Sequence, residues 1–235
     1  SNLLVSDQGY EGVIIQIYKQ MNRVEITENE IHAQAGALLS MIANRAMEAE
    51  LTGFEFAAGI PGTLGGACVM NAGAYGGEMK DVLETVTVLT RDGDVKTLTK
   101  DELELGYRIS VIAKKDYIVL SAVIRLENGK KEEIKAVMDD LKEKRITKQP
   151  LEYPSAGSTF KRPEGYFAGK LIQDAGLRGF QVGGAQVSEK HCGFVVNKDQ
   201  ATAADVMNLM NQVSDKVYEM SGVRLEPEVK RLGVF

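Results

Sequence analysis

The chain contains few of the residues from which metal centres and disulfide scaffolds are built. It has no tryptophan, two histidines and two cysteines in 235 residues. Cys68 and Cys192 are far apart in the sequence and have no metal-ligand spacing, so neither a zinc site nor a disulfide framework is predicted. His32 and His191 are too few for most histidine-based metal or triad schemes. We therefore predict reduced thiols, no bound metal, and redox or nucleophilic chemistry that comes from another source.

Long apolar runs and a surplus of positive charge are also missing. The longest apolar stretches, near residues 12–17 and 193–196, are far shorter than the roughly 20 residues of a membrane-spanning helix. The formal net charge of -5 gives no basic field for a nucleic acid. The sequence opens without a recognisable signal peptide. We predict a cytoplasmic, globular protein, monomeric, with no nucleic-acid or membrane partner.

Hydrophobic periodicity predicts an α+β fold. Strand patterns occupy residues 13–17, 23–27, 84–90, 95–98 and 117–126, with a hairpin around Asp92-Gly93. Helical spacing covers about residues 37–50. After Asn128-Gly129 the pattern changes: helices follow around residues 134–141 and 167–175 and after Thr202, with strands at 193–197 and 223–233. We place a boundary there and predict domains 1–128 and 129–235.

One segment is unusually rich in glycine. Residues 59–77 contain seven glycines in nineteen positions. Glycines let backbone N–H groups close on an anion, and small polar residues such as Thr63 and Asn71 can add hydrogen bonds. A pyrophosphate fits such a segment, although a tight structural loop can have the same composition. The spacing matches neither the Gly-x-Gly-x-x-Gly fingerprint nor a phosphate loop that ends in Lys.

The order of residues in this segment resembles a known family. The runs Ala58-Gly59-Ile60-Pro61-Gly62-Thr63-Leu64-Gly65-Gly66-Ala67 and Met70-Asn71-Ala72-Gly73-Ala74-Tyr75-Gly76 resemble the FAD-pyrophosphate loop of the UDP-N-acetylenolpyruvoylglucosamine reductases (MurB), and residues 1–7 resemble the end of that family's first flavin-binding motif. The resemblance implies an FAD-binding domain of the vanillyl-alcohol-oxidase (PCMH) type, followed by a smaller α+β substrate-binding domain. The implied cofactor contacts are Ser1, Asn2, Gly59, Ile60, Pro61, Gly62, Thr63, Gly65, Gly66, Asn71, Ala72, Gly73 and Gly76.

Three further stretches, residues 106–110, 154–163 and 225–229, also resemble family motifs. They read Gly-Tyr-Arg-Ile-Ser, Pro-Ser-Ala-Gly-Ser-Thr-Phe-Lys-Arg-Pro and Leu-Glu-Pro-Glu-Val. By this resemblance, Arg108, Ser158 and Glu228 align with the family's catalytic arginine, proton-donating serine and glutamate. The implied substrate contacts are Tyr107, Lys148, Lys161, Arg162 and His191.

The resemblance implies an oxidoreductase of peptidoglycan precursor synthesis. NADPH would reduce FAD, and hydride from flavin N5 would then reach the β-carbon of UDP-N-acetylglucosamine enolpyruvate, which yields UDP-N-acetylmuramate. Arg108 and Glu228 would stabilise charge on the substrate carboxylate, and Ser158 would protonate the α-carbon. The short interval between Arg108 and Ser158 resembles the type II subtype, which lacks a long substrate-closing loop. The family's N-terminal flavin-binding subdomain is expected to be missing here, which predicts impaired FAD binding.

Each candidate residue also has a structural interpretation. Taken alone, Arg108 fits a surface ion pair, Ser158 a turn and Glu228 a solvent-facing strand position. A single histidine such as His191 is as often structural as functional. Two other functions stay open: an oxidase on the same flavin fold, which could anchor FAD through Cys68, and a protein that binds a nucleotide sugar without flavin.

Overall fold

The computed structural model describes all 235 residues, Ser1–Phe235, and mixes helices with strands. The strands are β1 (Leu3–Val5), β2 (Val24–Thr27), β3 (Glu30–Gln34), β4 (Leu51–Thr52), β5 (Gly73–Ala74), β6 (Gly77–Glu78), β7 (Leu83–Leu89), β8 (Val95–Thr99), β9 (Ile118–Arg125), β10 (Glu127–Asn128), β11 (Ser155–Ser158), β12 (Gln181–Val182), β13 (Ala185–Val187), β14 (Phe194–Asn197) and β15 (Lys230–Leu232). The α-helices are α1 (Leu39–Glu48), α2 (Leu64–Met70), α3 (Met79–Val82), α4 (Val111–Lys114), α5 (Lys131–Lys148), α6 (Ala168–Asp174) and α7 (Ala203–Ser221), with a 3-10 turn at Glu55–Ala57. None of these helices combines the length and the apolar character needed to cross a bilayer.

The chain folds into two compact units. The first unit is Ile14–Arg145, and the second combines Ser1–Val13 with Ile146–Phe235. Most of α5 belongs to the first unit, where Ile134 is buried and Met138 packs on the core. The predicted domains 1–128 and 129–235 are drawn differently, and that division stays a prediction.

A five-stranded antiparallel sheet forms the centre of the first unit. Its order is β2-β3-β9-β7-β8. The central strand β9 buries Val119, Ala122 and Ile124, and it hydrogen-bonds to β3 and β7 on its two sides. Helix α1 buries one apolar face and α2 packs against β9. The predicted hairpin is confirmed, since β7 and β8 pair in antiparallel register.

The second unit is built on a four-stranded antiparallel sheet and the long helix α7. The sheet order is β11-β14-β13-β12, and β1 pairs in parallel with β15. Leu209, Val213 and Val217 of α7 are buried in the core of this unit. The predicted helix start is confirmed, because Thr202 and Asp205 form a reciprocal capping box. Gly222, in the left-handed conformation with a φ of 71°, ends the helix.

Two strand predictions need correction. Residues 13–17 form no strand, and Val13, Ile14 and Ile15 are 86%, 66% and 81% exposed. An apolar run becomes a strand only where a neighbouring strand takes up its hydrogen bonds, and this segment pairs with no strand. The strand predicted over residues 223–233 is confined to Lys230–Leu232, with an isolated bridge between Phe160 and Pro227.

Candidate active site

The glycine-rich segment 59–77 surrounds α2 in the first unit, and part of its glycine content is required by close packing. A Cβ on Gly65 would lie 3.0 Å from the Cβ of Ala35, and a Cβ on Gly77 would lie 2.7 Å from the Phe56 ring. Gly62 has a φ of 142°, which side-chain-bearing residues rarely adopt. Packing or backbone conformation therefore accounts for the glycine at positions 62, 65 and 77, as the tight-loop interpretation predicts.

The turn at the start of α2 also keeps space and hydrogen-bond donors available. A Cβ on Gly66 would meet no atom within 4 Å. The backbone N–H groups of Leu64 and Gly65 donate to carbonyl oxygens of the 35–37 segment, whereas those of Thr63 and Gly66 donate no hydrogen bond within the protein. Backbone donors beside open space suit the oxygens of a pyrophosphate. The residues present thus fit the FAD that the sequence predicts.

Asn71, a predicted cofactor contact, is buried at the C-terminal end of α2. Its Nδ2 donates to Glu78 Oε2 at 2.6 Å and to the Gly106 carbonyl at 3.1 Å, and its Oδ1 accepts from the Lys80 N–H at 2.8 Å. Both N–H donors of the amide are engaged inside the protein. The role of Asn71 in cofactor binding stays a prediction. Its predicted neighbours lie in or next to the β5–β6 hairpin: Ala72, Gly73 and Gly76.

Arg108 lies in a tight turn of the first unit. Gly106 and Ile109 exchange two backbone hydrogen bonds of 3.1 and 3.3 Å, which leaves Tyr107 and Arg108 at the tip. Arg108 has a φ of 56°, a conformation that is uncommon for a residue with a long side chain. Its guanidinium carbon lies 5.1 Å from the Tyr107 ring centroid. The sequence identified both residues but not the strained backbone that presents them.

The second unit brings the segment around Glu228 next to the end of β11, which carries Ser158. The N–H of Glu228 donates to the carbonyl of Thr159 at 2.9 Å, and the N–H of Lys161 donates to the carbonyl of Glu226 at 2.8 Å. Thr159 is itself buried: its N–H donates to Gly193 O at 2.9 Å and its Oγ1 accepts from the Val195 N–H at 2.8 Å. The backbone at Glu228 therefore lies beside that of Thr159, the residue that follows Ser158 and that the sequence did not single out.

The basic residues predicted to contact substrate have distinct environments in the second unit. Lys161 forms an ion pair with Glu226. The Arg162 guanidinium lies 4.6 Å from the Phe167 ring centroid. Lys148 is exposed in the last turn of α5.

His191 has one ring nitrogen occupied. Its Nδ1 accepts a hydrogen bond from the Gly193 N–H at 3.0 Å, and its ring meets Phe194 edge-on at 5.1 Å. Partial burial lowers the pKa of His191 below its ordinary value of 6.5. A neutral ring whose Nδ1 accepts must carry its proton on Nε2, so His191 can offer Nε2–H as a donor.

Ser1 and Asn2 belong to the second unit, whereas the predicted cofactor contacts from Gly59 to Gly76 belong to the first. The Asn2 carbonyl accepts a hydrogen bond of 2.8 Å from the Lys230 N–H, next to the parallel pair β1–β15. Asn2 is thereby fixed to the strand that follows Glu228.

A cavity of about 260 Å³ in the first unit contains a basic residue that the sequence did not single out. Its lining includes Gly59, Tyr75 and Arg145. The Arg145 guanidinium lies 6.0 Å from the Tyr75 ring centroid, and burial lowers its pKa. A Cβ on Gly59 would lie 2.8 Å from Arg145 Nε, so Gly59 is the residue that makes room for this side chain. No sequence motif includes Arg145. Its position beside Gly59 and Tyr75 is known only from the folded structure.

Cys68 is an unsuitable covalent anchor for a flavin. Its side chain is fully buried within α2, and burial raises the pKa of its thiol to about 12. The nucleophile in cysteine chemistry is the thiolate, which is scarce at neutral pH when the pKa is this high. This observation disfavours the covalent oxidase alternative.

Known proteins resemble this chain along its whole length. Residues 1–99 match the family model "FAD binding domain", and residues 149–232 match the C-terminal domain of UDP-N-acetylenolpyruvoylglucosamine reductase. A curated UDP-N-acetylenolpyruvoylglucosamine reductase from Agathobacter rectalis is 60% identical, over 100% of this chain and 79% of the relative. The chain belongs to the UDP-N-acetylenolpyruvoylglucosamine reductase (MurB) family. The reductase of that name from Clostridioides difficile is 54% identical, over 99% of this chain and 77% of its own length.

A solved structure supports the same assignment. The crystal structure of the reductase (MurB) from Thermus caldophilus superposes with a TM-score of 0.82 at 36% identity, covering 98% of this chain and 82% of that one. The predicted fold class is confirmed: an FAD-binding domain of the PCMH type is followed by the MurB C-terminal domain, and the whole is α+β. As a member of this family, the chain is an oxidoreductase whose cofactor is FAD.

Proposed function

We propose that this chain catalyses the NADPH-dependent reduction of UDP-N-acetylglucosamine enolpyruvate to UDP-N-acetylmuramate in peptidoglycan precursor synthesis. The observation that supports this proposal best is the backbone hydrogen bond from the Glu228 N–H to the Thr159 carbonyl, because it brings the chain at Glu228 next to the residue that follows Ser158. The family of the chain and its FAD-binding segment support the redox class of the reaction.

Arg108 and Glu228 are proposed to act on the substrate carboxylate. Addition of hydride to the β-carbon of an enol ether conjugated to a carboxylate moves negative charge onto the carboxylate oxygens. A fixed guanidinium and an acidic group at those oxygens stabilise this charge as it develops, as the donors of an oxyanion hole do. The turn that holds Arg108 and the backbone bond that holds Glu228 both limit the motion of these groups before reaction.

Ser158 is proposed to deliver the proton to the α-carbon. A positioned general acid contributes about 10²–10⁴ in rate. Ser158 is exposed at the end of β11, opposite Phe194 in β14, so its hydroxyl is accessible on a fixed strand. The glycine-rich segment 59–77 would hold FAD, which would supply the hydride chemistry between NADPH and the β-carbon.

The remaining predicted residues are proposed to hold the nucleotide sugar. Lys148, Lys161 and Arg162 carry positive charge suited to phosphate oxygens, and His191 offers Nε2–H as a neutral donor. Tyr107 adds an aromatic surface beside Arg108. The proposed partner is thus a small nucleotide sugar, and we propose that the protein acts as a cytoplasmic monomer without nucleic-acid or membrane partners.

Replacement of Ser158 by alanine tests the proposal through the two half-reactions. In the flavin-loaded Ser158→Ala protein, NADPH should still bleach the flavin at the wild-type rate, because this step needs no proton for the α-carbon. Reoxidation by the enolpyruvyl substrate should slow by about 10²–10⁴, the contribution of a general acid. Stopped-flow absorbance measures both rates.

Ser221→Ala is the matched control, because it removes a hydroxyl at the end of α7 in the same unit. Wild-type rates are expected in both half-reactions of that control. If Ser158→Ala also reoxidised at the wild-type rate, the role of Ser158 would be wrong. Substrate-dependent peroxide formation would instead support the oxidase alternative. The impaired FAD binding that the sequence predicts stays a prediction, and a titration with FAD, followed by the visible absorbance of the bound flavin, measures it.

A further inference from the structure

The turn that carries Arg108 is held in an unfavourable backbone conformation. A left-handed φ at a non-glycine residue costs free energy and persists only where the surroundings determine it. The φ of Arg108 is 56°, and the turn has two backbone hydrogen bonds of its own, between Gly106 and Ile109. These two bonds would form in other turn types as well, so they do not select the left-handed residue.

Two hydrogen bonds from buried side chains attach this turn to the end of α2, one on each side of Arg108. On the N-terminal side, Asn71 Nδ2 donates to the Gly106 carbonyl at 3.1 Å. On the C-terminal side, Ser110 Oγ donates to the Val69 carbonyl at 2.6 Å. The Asn71 and Ser110 side chains are both completely buried, whereas the accepting carbonyls belong to the half-buried residues Gly106 and Val69.

The Asn71 side chain is fixed in turn by bonds that do not involve the loop. Glu78 accepts its other N–H at 2.6 Å, and the Lys80 N–H donates to its Oδ1 at 2.8 Å. Because Glu78 and Lys80 hold the Asn71 side chain in place, this side chain cannot move together with the 106–109 turn if the turn changes conformation. Ser110 is similarly fixed, because its Oγ accepts from the Ala113 N–H at 3.2 Å as the N-cap of α4.

We propose that Asn71 and Ser110 are positioning residues for Arg108, which fix the guanidinium relative to the glycine-rich segment at the other end of α2. This inference rests on the proposed role of Arg108. One helix, Leu64–Met70, begins at the proposed cofactor loop and ends at the two ties, so the cofactor segment and the catalytic arginine share a rigid support. Catalytic groups need such support, because a displacement of about 1 Å can reduce a rate about 10²-fold.

Amide hydrogen exchange on the flavin-free chain tests the ties without reference to activity. Asn71→Gly removes the amide but keeps a residue that accepts the left-handed conformation of Asn71, whose φ is 45°. Exchange in the 106–110 segment should become roughly tenfold faster, the effect expected from the loss of one buried hydrogen bond, while β7 and β9 exchange as in the wild type. Ser110→Ala should give the same pattern and serves where Asn71→Gly does not fold. Unchanged exchange in both variants would overturn the proposal.

A double-mutant cycle with Arg108→Met on the flavin-loaded enzyme separates positioning from other roles. Ser110→Ala, which removes the tie at a residue outside the predicted cofactor contacts, should slow reoxidation by the enolpyruvyl substrate by about 10- to 100-fold and leave the bleaching by NADPH unchanged. In the Arg108→Met background the same change should have little further effect, because the group that it positions is gone. An equal further loss in that background, or equally slowed bleaching, would show that Ser110 acts through a group other than Arg108 and would overturn the proposal.

Asn22→Gly is the control for the Asn71 variant, and Arg108→Met alone tests the proposed function. Asn22→Gly, at an exposed turn of the same unit, should behave as the wild type in every measurement. If Arg108→Met itself reoxidised normally, the proposed function of Arg108 would fail, whereas the exchange experiment would still decide whether the ties exist.

Discussion

At the residue scale, Thr159 joins the two motifs that supply Ser158 and Glu228. Its N–H, carbonyl and hydroxyl oxygen make hydrogen bonds to Gly193, Glu228 and Val195. Motif comparison identifies Ser158 and Glu228 by their chemistry, but it gives no reason to select the residue between them. The partners of Thr159 are 34 to 69 positions away in the sequence, so the role of Thr159 follows only from the tertiary structure.

Removal of the Thr159 hydroxyl should destabilise the second unit. Thr159→Val keeps the shape of the side chain but leaves the buried Val195 N–H without an acceptor, which costs about 1–3 kcal/mol. Thr159→Ser keeps the oxygen and should retain most of the stability. Thermal unfolding followed by circular dichroism measures the difference. Equal midpoints for Thr159→Val and the wild type would show that the Val195 bond does not stabilise the fold.

Arg108 illustrates how far the sequence predicts a single residue. The motif Gly-Tyr-Arg-Ile-Ser identified the side chain by its resemblance to the family. Its left-handed backbone could not be predicted, because local preference disfavours that conformation for arginine and the ties from Asn71 and Ser110 come from tertiary structure. Where the local preference of a residue and its tertiary environment disagree, the sequence pattern cannot predict the backbone conformation of that residue.

At the element scale, α7 was predicted well from local signals. The Thr202 and Asp205 capping box marks its start, and its apolar residues recur at helical spacing. The structure adds a second cap from a distant residue, since Asp7 accepts hydrogen bonds from the N–H groups of Ala203 at 2.6 Å and Ala204 at 3.1 Å. That contribution could not be predicted, because 196 positions separate Asp7 from Ala203.

Loss of the Asp7 cap should lower the stability of α7. Asp7→Ala removes two acceptors and a negative charge from the helix N-terminus, which together contribute about 1–2 kcal/mol. In a chain of this size, 1 kcal/mol corresponds to about 2–4 °C in the unfolding midpoint. Asp7→Asn, which keeps an acceptor oxygen, should lie between Asp7→Ala and the wild type. A midpoint of Asp7→Ala equal to that of the wild type would show that the capping box alone is sufficient.

The incorrect strand at residues 13–17 illustrates the opposite case at this scale. Its apolar, β-branched sequence has the local preference of a strand, yet a strand exists only where a partner accepts its backbone hydrogen bonds. By contrast, β7 and β8 are joined by a short turn, so the pairing is local and the sequence predicts it. Strands that pair across a short turn could therefore be predicted from the sequence. Whether a segment finds a partner elsewhere in the chain could not.

At the scale of the whole molecule, the fold class could be predicted from the sequence. Which residues belong to each compact unit could not. Periodicity and the family motifs gave the α+β class, which the family models and the solved structure confirm. The pattern change after residue 128 suggested a boundary, but residues 1–13 group with the C-terminal residues because β1 pairs with β15. A pairing between the two ends of a chain leaves no mark in local composition.

The lowered pKa of His191 should make the stability of the folded chain depend on pH. Its pKa is lowered in the folded state, so below pH 6.5 the unfolded chain binds a proton that the folded chain resists. Stability should therefore be complete above pH 6.5 and fall as the pH decreases towards the lower pKa of the folded state. Lowered carboxyl pKa values, such as those of Glu102, Glu104 and Asp205, act in the separate window below about pH 4.5, where their stabilisation is lost as they are protonated.

His191→Asn isolates this contribution, because the asparagine oxygen can accept the Gly193 N–H in place of Nδ1 but does not titrate. Denaturant midpoints measured from pH 7.5 to 5 should fall less steeply for this variant than for the wild type, and the two curves should become parallel again once the wild-type histidine is protonated in both states. Partial burial is the cause of the shift, so the difference should persist at high salt, where the weaker repulsion from Arg178 is screened. Curves that coincide throughout would mean that the His191 ring is as well solvated in the folded chain as in the unfolded one.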